Sequence, residues 1–188
     1  MTSGRKPRAD GQRNRERLVE AAKAGFSETG PEVSLDEIAR RAGVGIGTLY
    51  RHFPTRDAIV GAVYIREVEQ LAEAATQLEA TLPPAQALHQ WMRMFVDYIA
   101  TKKLIAPALG AIVGGAELSA AYGAKITGGM PRLVERARES GEIRADADPD
   151  DLLRALVGFT YGNTSPGWQA SALRLIDILM DGLRPPAA

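Results

Sequence analysis

The sequence predicts an all-α fold with about nine helices: a three-helix N-terminal head containing a helix-turn-helix, followed by a longer helical body. Two observations carry this prediction. Apolar residues recur at helical spacing along most of the chain, whereas the strict alternation typical of strands is absent. Glycine and proline residues separate the periodic segments into lengths suited to single helices.

The composition limits the possible classes of protein. The chain has 188 residues and no cysteine, which excludes disulfides, thiol catalysis and cysteine metal sites and is typical of the cytoplasm. No run of about 18 apolar residues occurs, so we expect no transmembrane helix and no membrane partner. The N-terminus is basic and polar rather than a secretory signal. We therefore expect a cytoplasmic protein.

Charge is unevenly distributed along the chain, although 23 Lys/Arg and 23 Asp/Glu give a formal net charge of zero. Residues 1–66 hold 12 Lys/Arg and 8 Asp/Glu, a balance of +4, and residues 67–188 hold 11 and 15, a balance of −4. A basic excess in the head suits contacts with nucleic-acid phosphates. Chance variation along a neutral chain is the alternative explanation.

The chain begins with a polar, basic segment, residues 1–12, that we expect to be a flexible arm. Its cations Arg5, Lys6 and Arg8 could reach a phosphate or a minor groove, or the arm could simply be solvated. The first helix is predicted from about Arg13 to Thr29.

Residues 34–53 are the most informative segment, because they predict two short helices joined by a tight turn. Ser34 is a good N-cap, and Glu37 completes a capping box. Gly43 stands where the end of a helix requires a positive φ. Helical spacing turns one face inward, formed by Leu35, Ile38, Ala39, Ala42, Leu49 and Phe53. In a helix-turn-helix of this build the second helix lies in the DNA major groove.

The remaining helices follow from their caps and breaks. Pro54 ends the third helix and Thr55 caps a fourth, so we divide the chain into a head, residues 1–55, and a body, residues 56–188. The segment 104–130 is rich in glycine and should hold a short helix, then a helix that bends near Pro131. The predicted helices of the body cover about residues 55–81, 85–103, 119–140, 148–161 and 168–183.

The motif carries a family resemblance. The run T-L-Y-R-H-F at 48–53, with R-L-V-E-A-A at 17–22, F-S-E-T-G at 26–30 and F-P-T-R-D-A-I-V at 53–60, resembles the TetR family of bacterial one-component repressors. Many positions agree in register over about residues 13–64, roughly a third of the chain. The rest matches in length, helical character and general plan.

Nine residues are candidates for contacts with DNA: Ser34, Gly45, Ile46, Gly47, Thr48, Tyr50, Arg51, His52 and Arg56. Those near the start of the second helix of the motif should approach base edges, and Arg51 could pair with guanine. The resemblance implies that Tyr50 and His52 contact phosphates. Ser34 and Arg56 stand at helix N-termini, where phosphates bind; the family commonly has lysine at the Arg56 position. The alternative is that these side chains only face solvent.

Large apolar side chains of the body are candidates for a ligand pocket: Trp91, Phe95, Tyr98, Ile112, Leu118, Tyr122, Met130 and Phe159. Core packing would explain each of them singly. Together with glycine-rich helices and a proline kink, they suit a cavity whose wall can move, and the resemblance implies a cavity between helices 4 and 7. We expect a small, largely apolar or aromatic ligand.

The last two helices are candidates for a dimer interface through Leu152, Leu156, Leu173, Ile176, Leu179 and Met180. The resemblance implies that these helices pair with their copies in a four-helix bundle. An intramolecular core is the alternative, and both can hold on opposite faces. We expect a homodimer because two-fold dimers read the two half-sites of an inverted repeat.

Enzyme and metal sites are not indicated by any motif. The sequence has only two histidines, and no metalloprotease, nucleophile-elbow or P-loop pattern occurs. Asp146, Asp148 and Asp150 mimic the start of a calcium loop, but Val157 stands where its bidentate glutamate belongs. We therefore predict no catalytic activity, no metal and no cofactor.

These observations predict a homodimeric repressor that a small ligand releases from a palindromic DNA operator. One alternative is an orphan regulator or activator whose body only dimerises around a filled core. Another is a small-molecule carrier that has lost DNA recognition, against which the basic head and the intact Tyr50 and Arg56 argue. Repressor and activator are not distinguished by the sequence.

Overall fold

The computed structural model contains nine helices and no strand within the residues that it describes, which are 6–112, 114–162 and 165–185. For residues 6–8, 116–119, 124 and 127 only the backbone is described. The helices are α1 (Lys6–Thr29), α2 (Leu35–Arg41), α3 (Ile46–His52), α4 (Arg56–Thr81), α5 (Pro84–Ala111), α6 (Gly115–Thr127), α7 (Gly129–Glu139), α8 (Pro149–Tyr161) and α9 (Trp168–Gly182). The predicted all-α class is confirmed.

Helix α1 begins earlier than the sequence suggested, and the prediction of a flexible arm is wrong from Lys6 onwards. Pro7 lies in the first turn, where its missing N–H would have no intrahelical acceptor. One turn later Arg13 donates to the carboxylate of Asp10 at 2.5 Å, a pair at (i, i+3) that supports a helix. Arg5 lies among residues 1–5, outside the described residues.

The glycine-rich segment also differs from the prediction. Helix α5 continues past Lys103 to Ala111, and Pro107, which has no N–H to donate, lies inside it. The single bent helix expected next is instead two helices, because α6 and α7 are separated at Gly128. Pro131 falls in the first turn of α7, where a proline starts a helix rather than kinks one.

The chain divides into two compact units. The first comprises Met1–Arg66 and Thr101–Leu118, and the second comprises Glu67–Ala100 and Ser119–Ala188. Helices α4, α5 and α6 therefore each contribute residues to both units. This is a division by packing; the functional boundary between residues 55 and 56 stays a prediction.

The core of the first unit joins the three helices of the head. Leu18 and Phe26 of α1, Ile38 of α2 and Leu49 of α3 have no exposed surface, and Phe53 is 2% exposed. These residues lie on the faces that helical spacing predicts to be buried. Their burial fixes the rotation of each short helix about its own axis.

The second unit contains a close approach between α4 and α7. An added Cβ at Gly129 would lie 2.8 Å from the Cβ of Ala75, so only glycine fits there. Beside this contact the indole N–H of the buried Trp91 donates to the carbonyl of Leu71 at 3.0 Å. The ring of Trp91 is followed along α5 by Phe95, with ring centroids 5.9 Å apart. Helices α4, α5 and α7 of the second unit therefore pack closely at Gly129.

Replacing Gly129 by alanine should lower the free energy of unfolding by about 1–3 kcal/mol, because the new methyl group overpacks the contact with Ala75. The matched control is Gly123→Ala on α6, where an added Cβ meets no atom within 4 Å. That variant should be neutral or stabilised by up to about 1 kcal/mol. Urea denaturation followed by circular dichroism measures both. Equal effects would contradict the close approach.

Candidate nucleic-acid interface

Helix α2 begins at a side-chain cap. The Oγ of Ser34 accepts the backbone N–H of Glu37 at 3.2 Å, as predicted, and its own hydroxyl proton stays available to an outside acceptor. The second half of the predicted capping box is not formed. The Glu37 carboxylate instead accepts hydrogen bonds from Arg40 and Arg41, at 2.7 Å each, because charged donors on the same helix outcompete a neutral backbone N–H.

The turn between α2 and α3 depends on Gly43, whose φ is +64°. The N–H of Val44 donates to the carbonyl of Ala39 at 3.0 Å, and the N–H of Gly43 donates to that of Arg40 at 3.1 Å. This pair of bonds is the Schellman closure of a helix end. An added Cβ at Gly43 would also lie 2.6 Å from the guanidinium of Arg17. The backbone conformation therefore favours glycine, and a side chain there would also displace the flexible end of Arg17.

Helix α3 buries one residue completely, Leu49, and leaves its other positions accessible. Gly45, Gly47, Tyr50 and Arg51 are exposed, and the remaining candidates Ile46, Thr48 and His52 are half-buried. Nothing lies within 4 Å of a Cβ added at either glycine. The predicted residues of α3 thus keep some or most of their surface accessible, and Leu49 marks the side that packs on the core.

Helix α1 supports the end of α3 in a way that the sequence did not indicate. The guanidinium of Arg15 stacks on the ring of Phe53 at 5.0 Å from its centroid, a cation–π contact. Gly11 faces His52, since a Cβ added there would lie 3.9 Å from Cε1 of the imidazole. Arg15 had no signal in the sequence because a stacking partner on another helix is not visible in local spacing.

Arg56 is positioned differently from the other DNA-binding candidates. Its Nη1 donates to the carbonyl of Val33 at 2.8 Å, and its Nη2 donates to the carbonyl of Pro31. The side chain is half-buried. The guanidinium expected to contact a phosphate is therefore bonded to the loop that precedes α2.

An ion-pair network joins α1 to α2. Hydrogen bonds from Arg40 and then Arg41 lower the pKa of the Glu37 carboxyl from its ordinary 4.5 to about 2. Arg41 also donates to Glu28 of α1 at 2.7 Å. The cations of α2 thus hold the head together, and their charge is largely compensated by these two carboxylates.

The predicted ligand residues differ in how deeply the structure buries them. Trp91, Phe95, Tyr98 and Met130 are buried, and Ile112, Tyr122 and Phe159 are half-buried, whereas the side chain of Leu118 lies outside the described residues. Ile112 belongs to the first unit. A groove of about 720 Å³ in the second unit is lined by other residues, including His89, Glu142 and Asp177. The ligand pocket stays a prediction.

The predicted dimer residues fall into two groups. Leu152, Leu156 and Ile176 are buried inside the second unit, so they offer no surface to a second copy. Leu173, Leu179 and Met180 are half-buried. The exposed apolar side chains of α8 and α9 are instead Val157, Tyr161, Leu175 and Ile178. The apolar stripe seen in the sequence is mostly the face turned towards the unit's own core.

In the part of the chain that the structure describes, no three His, Asp or Glu side chains come together as a metal site. No helix there combines the length and apolarity needed to cross a bilayer.

Comparison with known proteins identifies the family. Residues 18–63 match the bacterial regulatory proteins of the tetR family. Residues 83–185, more than half of the chain, match the C-terminal domain of SbtR-like transcriptional regulators. The crystal structure of a TetR transcriptional regulator from Streptomyces coelicolor is 42% identical and has a TM-score of 0.82, covering 92% of this chain and 99% of that one. The chain belongs to the TetR family.

Further relatives of this TetR-family protein agree. A TetR regulator from Mycobacterium vanbaalenii is 35% identical with a TM-score of 0.77, covering 94% of this chain and 98% of that one. An HTH-type transcriptional regulator of Staphylococcus aureus (strain USA300) is 31% identical over 103 residues. That match covers 54% of this chain and 54% of the relative, so this chain spans about half the length of the curated relatives it matches. The predicted family, and the prediction that the protein is not an enzyme, are confirmed.

The network around Glu37 should make the stability of the head depend on pH. Because the folded pKa of about 2 lies below the ordinary 4.5, the ionised carboxylate stabilises the fold fully above pH 4.5, and this contribution is lost as the pH falls towards 2. The difference in urea midpoint between wild type and Glu37→Gln should therefore shrink over that range. Glu139→Gln, at an exposed position on α7, serves as control. A difference that stays constant down to pH 2 would contradict the network.

Proposed function

We propose that this TetR-family protein is a transcriptional regulator that binds an inverted repeat of DNA as a homodimer and is released by a small, largely apolar ligand. The observation that carries the proposal is the surface of α3. One side of this helix is locked into the core by Leu49, and the other side presents accessible side chains around two bare glycines. A helix held in this manner after a tight turn is suited to the major groove.

Residues at the start of α3 are the proposed readers of sequence. Gly45 and Gly47 leave the backbone free to approach base edges closely, and Ile46 and Thr48 can touch a thymine methyl group. Arg51 can pair with guanine; in the free protein its Nε is bonded to the carbonyl of Gly47 at 3.1 Å, along its own helix. That bond keeps the side chain ordered beside the glycines.

Phosphate contacts are proposed for residues at the edges of this surface. Tyr50 is 49% exposed, and its hydroxyl can donate to a phosphate oxygen. His52 is half-buried next to α1, so its ring is held in place for the same purpose. Ser34 keeps a free hydroxyl proton at the start of α2. The basic excess of residues 1–66 adds a long-range attraction to DNA.

A second copy of the chain is proposed to cover the exposed apolar face of α8 and α9. This face consists of Val157, Tyr161, Leu175 and Ile178, of which Ile178 is 67% exposed. Transfer of apolar side chains out of water lowers the free energy, so burial of this face by a partner would be favourable. Gly158 lies in the same surface, and a Cβ added there would meet no atom of its own chain within 4 Å. A partner helix could therefore approach closely.

Release by a ligand requires two states that differ in the spacing of the α3 helices. In the DNA-binding state the two copies of α3 would lie about 34 Å apart, one helical turn of DNA. A ligand that favours another state by about 2.7 kcal/mol would lower affinity for the operator 100-fold. Helix α4 is the proposed lever because it contributes residues to both compact units.

An orphan regulator without a ligand is the second candidate, and one observation favours it. Trp91 and Met130 have no exposed surface, and Trp91 already donates its indole N–H to Leu71. These residues are packed as a filled core would be. The two candidates share the DNA interface and the dimer, and they differ only in whether a small molecule changes affinity for DNA.

Selection from a random duplex library at two salt concentrations, followed by a panel of apolar metabolites and drugs, tests the proposal. An inverted repeat that one compound releases would support the ligand-gated regulator. An inverted repeat that no compound releases would favour the orphan. Failure to enrich any site at either salt would overturn sequence-specific recognition.

Replacing Arg51 by alanine should cost about 1–3 kcal/mol in binding to the selected site and relax specificity at a single base pair in each half-site. The reason is the loss of a paired contact with one base edge. Fluorescence anisotropy on the selected duplex and its single-base variants measures this. The control is Arg184→Ala, an exposed arginine after α9 that pairs with Asp181. Equal losses on every duplex would argue that Arg51 contacts phosphate.

Introducing a charge at Ile178 should separate the proposed dimer into monomers, because Ile178→Asp buries an unpaired carboxylate in the interface. Sedimentation velocity across a concentration series measures the change in dissociation constant. Gln169→Asp is the matched control, since it adds the same charge at an exposed position in the first turn of α9. A dimer unaffected by Ile178→Asp would place the interface elsewhere.

A further inference from the structure

Arg56 joins the start of α4 to the loop before α2, although its position suggested a direct contact with DNA. It is the first residue of α4 and donates hydrogen bonds to the carbonyls of Pro31 and Val33. These carbonyls are two residues apart in one loop and lie outside any helix. A guanidinium presents several donors in a fixed fork and so can bond both at once.

The same loop is fastened on its other side to α1. Gly30, with φ +93°, ends that helix, and the N–H of Val33 donates back to its carbonyl at 3.3 Å. The side chain of Val33 is buried against Gly25, where an added Cβ would lie 3.2 Å from Cγ1 of the valine. Val33 is therefore held by α1 through its side chain and by α4 through its carbonyl.

The residue after Val33 is Ser34, which caps α2. The planar peptide unit couples the carbonyl of Val33 to the backbone N–H of Ser34, so the hydrogen bond from Arg56 to that carbonyl also fixes the backbone nitrogen of Ser34. The Ser34 Oγ in turn fixes the first turn of α2 through the N–H of Glu37. The position of α2 relative to the first turn of α4 thus depends on the two bonds that Arg56 makes.

We propose that Arg56 is a positioning residue that acts through Val33 and Ser34, and that it is not a ligand of DNA phosphate. We call the two hydrogen bonds from Arg56 to the carbonyls of Pro31 and Val33 the clamp. The clamp is a property of the free protein, whereas its effect on DNA affinity rests on the proposed function. Lysine, which the resemblance gives as common at this position, would present a point charge without the planar fork that bonds both carbonyls in this chain. For this role the planar shape of the guanidinium group matters more than its positive charge.

Two variants separate the two roles. Arg56→Lys keeps the charge and loses the fork, whereas Arg56→Gln loses the charge. The control is Arg13→Lys, an exposed arginine of the same head that bonds Asp10 on its own helix. Hydrogen exchange of the backbone amides of residues 33–37 is measured on the full chain without DNA. Affinity is then measured against salt concentration on a duplex selected by the wild-type protein.

If Arg56 acts as a clamp, the backbone amide hydrogens of Val33 and Glu37 should exchange about tenfold faster in both variants than in the wild type and the control. Both should also bind the duplex about tenfold more weakly, and Arg56→Lys should keep the wild-type dependence of log affinity on log salt.

If Arg56 binds phosphate, Arg56→Lys should bind as the wild type does. Arg56→Gln should then reduce the salt slope by about 0.9 for each lost contact. That result, or unchanged exchange in Arg56→Lys, would overturn the clamp. Should the wild type select no duplex, the proposed function fails and the exchange measurement alone decides the role of Arg56.

Discussion

The geometry of the head depends on the reversal of the chain at Gly43. The left-handed conformation of this residue, which favours glycine, closes α2 and starts the turn. Once the angle between α2 and α3 is set, the burial of Leu49 sets the rotation of α3. The identity of the residues that face outward follows from these two constraints. A change at the turn would therefore alter recognition without touching any residue that meets DNA.

Some cations of the head stabilise its fold and others remain available to DNA, and the net balance of +4 does not distinguish the two groups. Arg40 and Arg41 are held by Glu37 and Glu28, and Arg56 is held by two carbonyls. These guanidiniums stabilise the arrangement of helices, and the charges of Arg40 and Arg41 are in addition compensated by carboxylates. An arginine in a helix-turn-helix is accordingly weak evidence for a phosphate contact until its hydrogen-bond partners are known.

Local features of the fold could be predicted from the sequence, and features that depend on distant partners could not. The cap at Ser34, the positive φ of Gly43 and the inward side of α3 follow from spacing and backbone chemistry. The early start of α1 was missed because Pro7 reads as a helix breaker unless it is known to lie in the first turn. The hydrogen bonds of Arg56 were missed because its acceptors are more than twenty residues away. The sequence did not show which apolar side chains of α8 and α9 stay exposed, because an apolar stripe does not reveal which side a neighbouring helix covers.

The hydrogen bond between Trp91 and Leu71 makes the intrinsic tryptophan fluorescence of the protein sensitive to the packing of α4 on α5. The chain has two tryptophans; Trp91 is fully buried, whereas Trp168 at the start of α9 retains solvent contact. Emission from a buried indole lies to the blue of that from a hydrated one, so the two contributions differ in wavelength. Any rearrangement that pulls α4 from α5 within the second unit would break the indole bond and admit water. Movement of the proposed lever would thus be visible as a red shift, with no label attached.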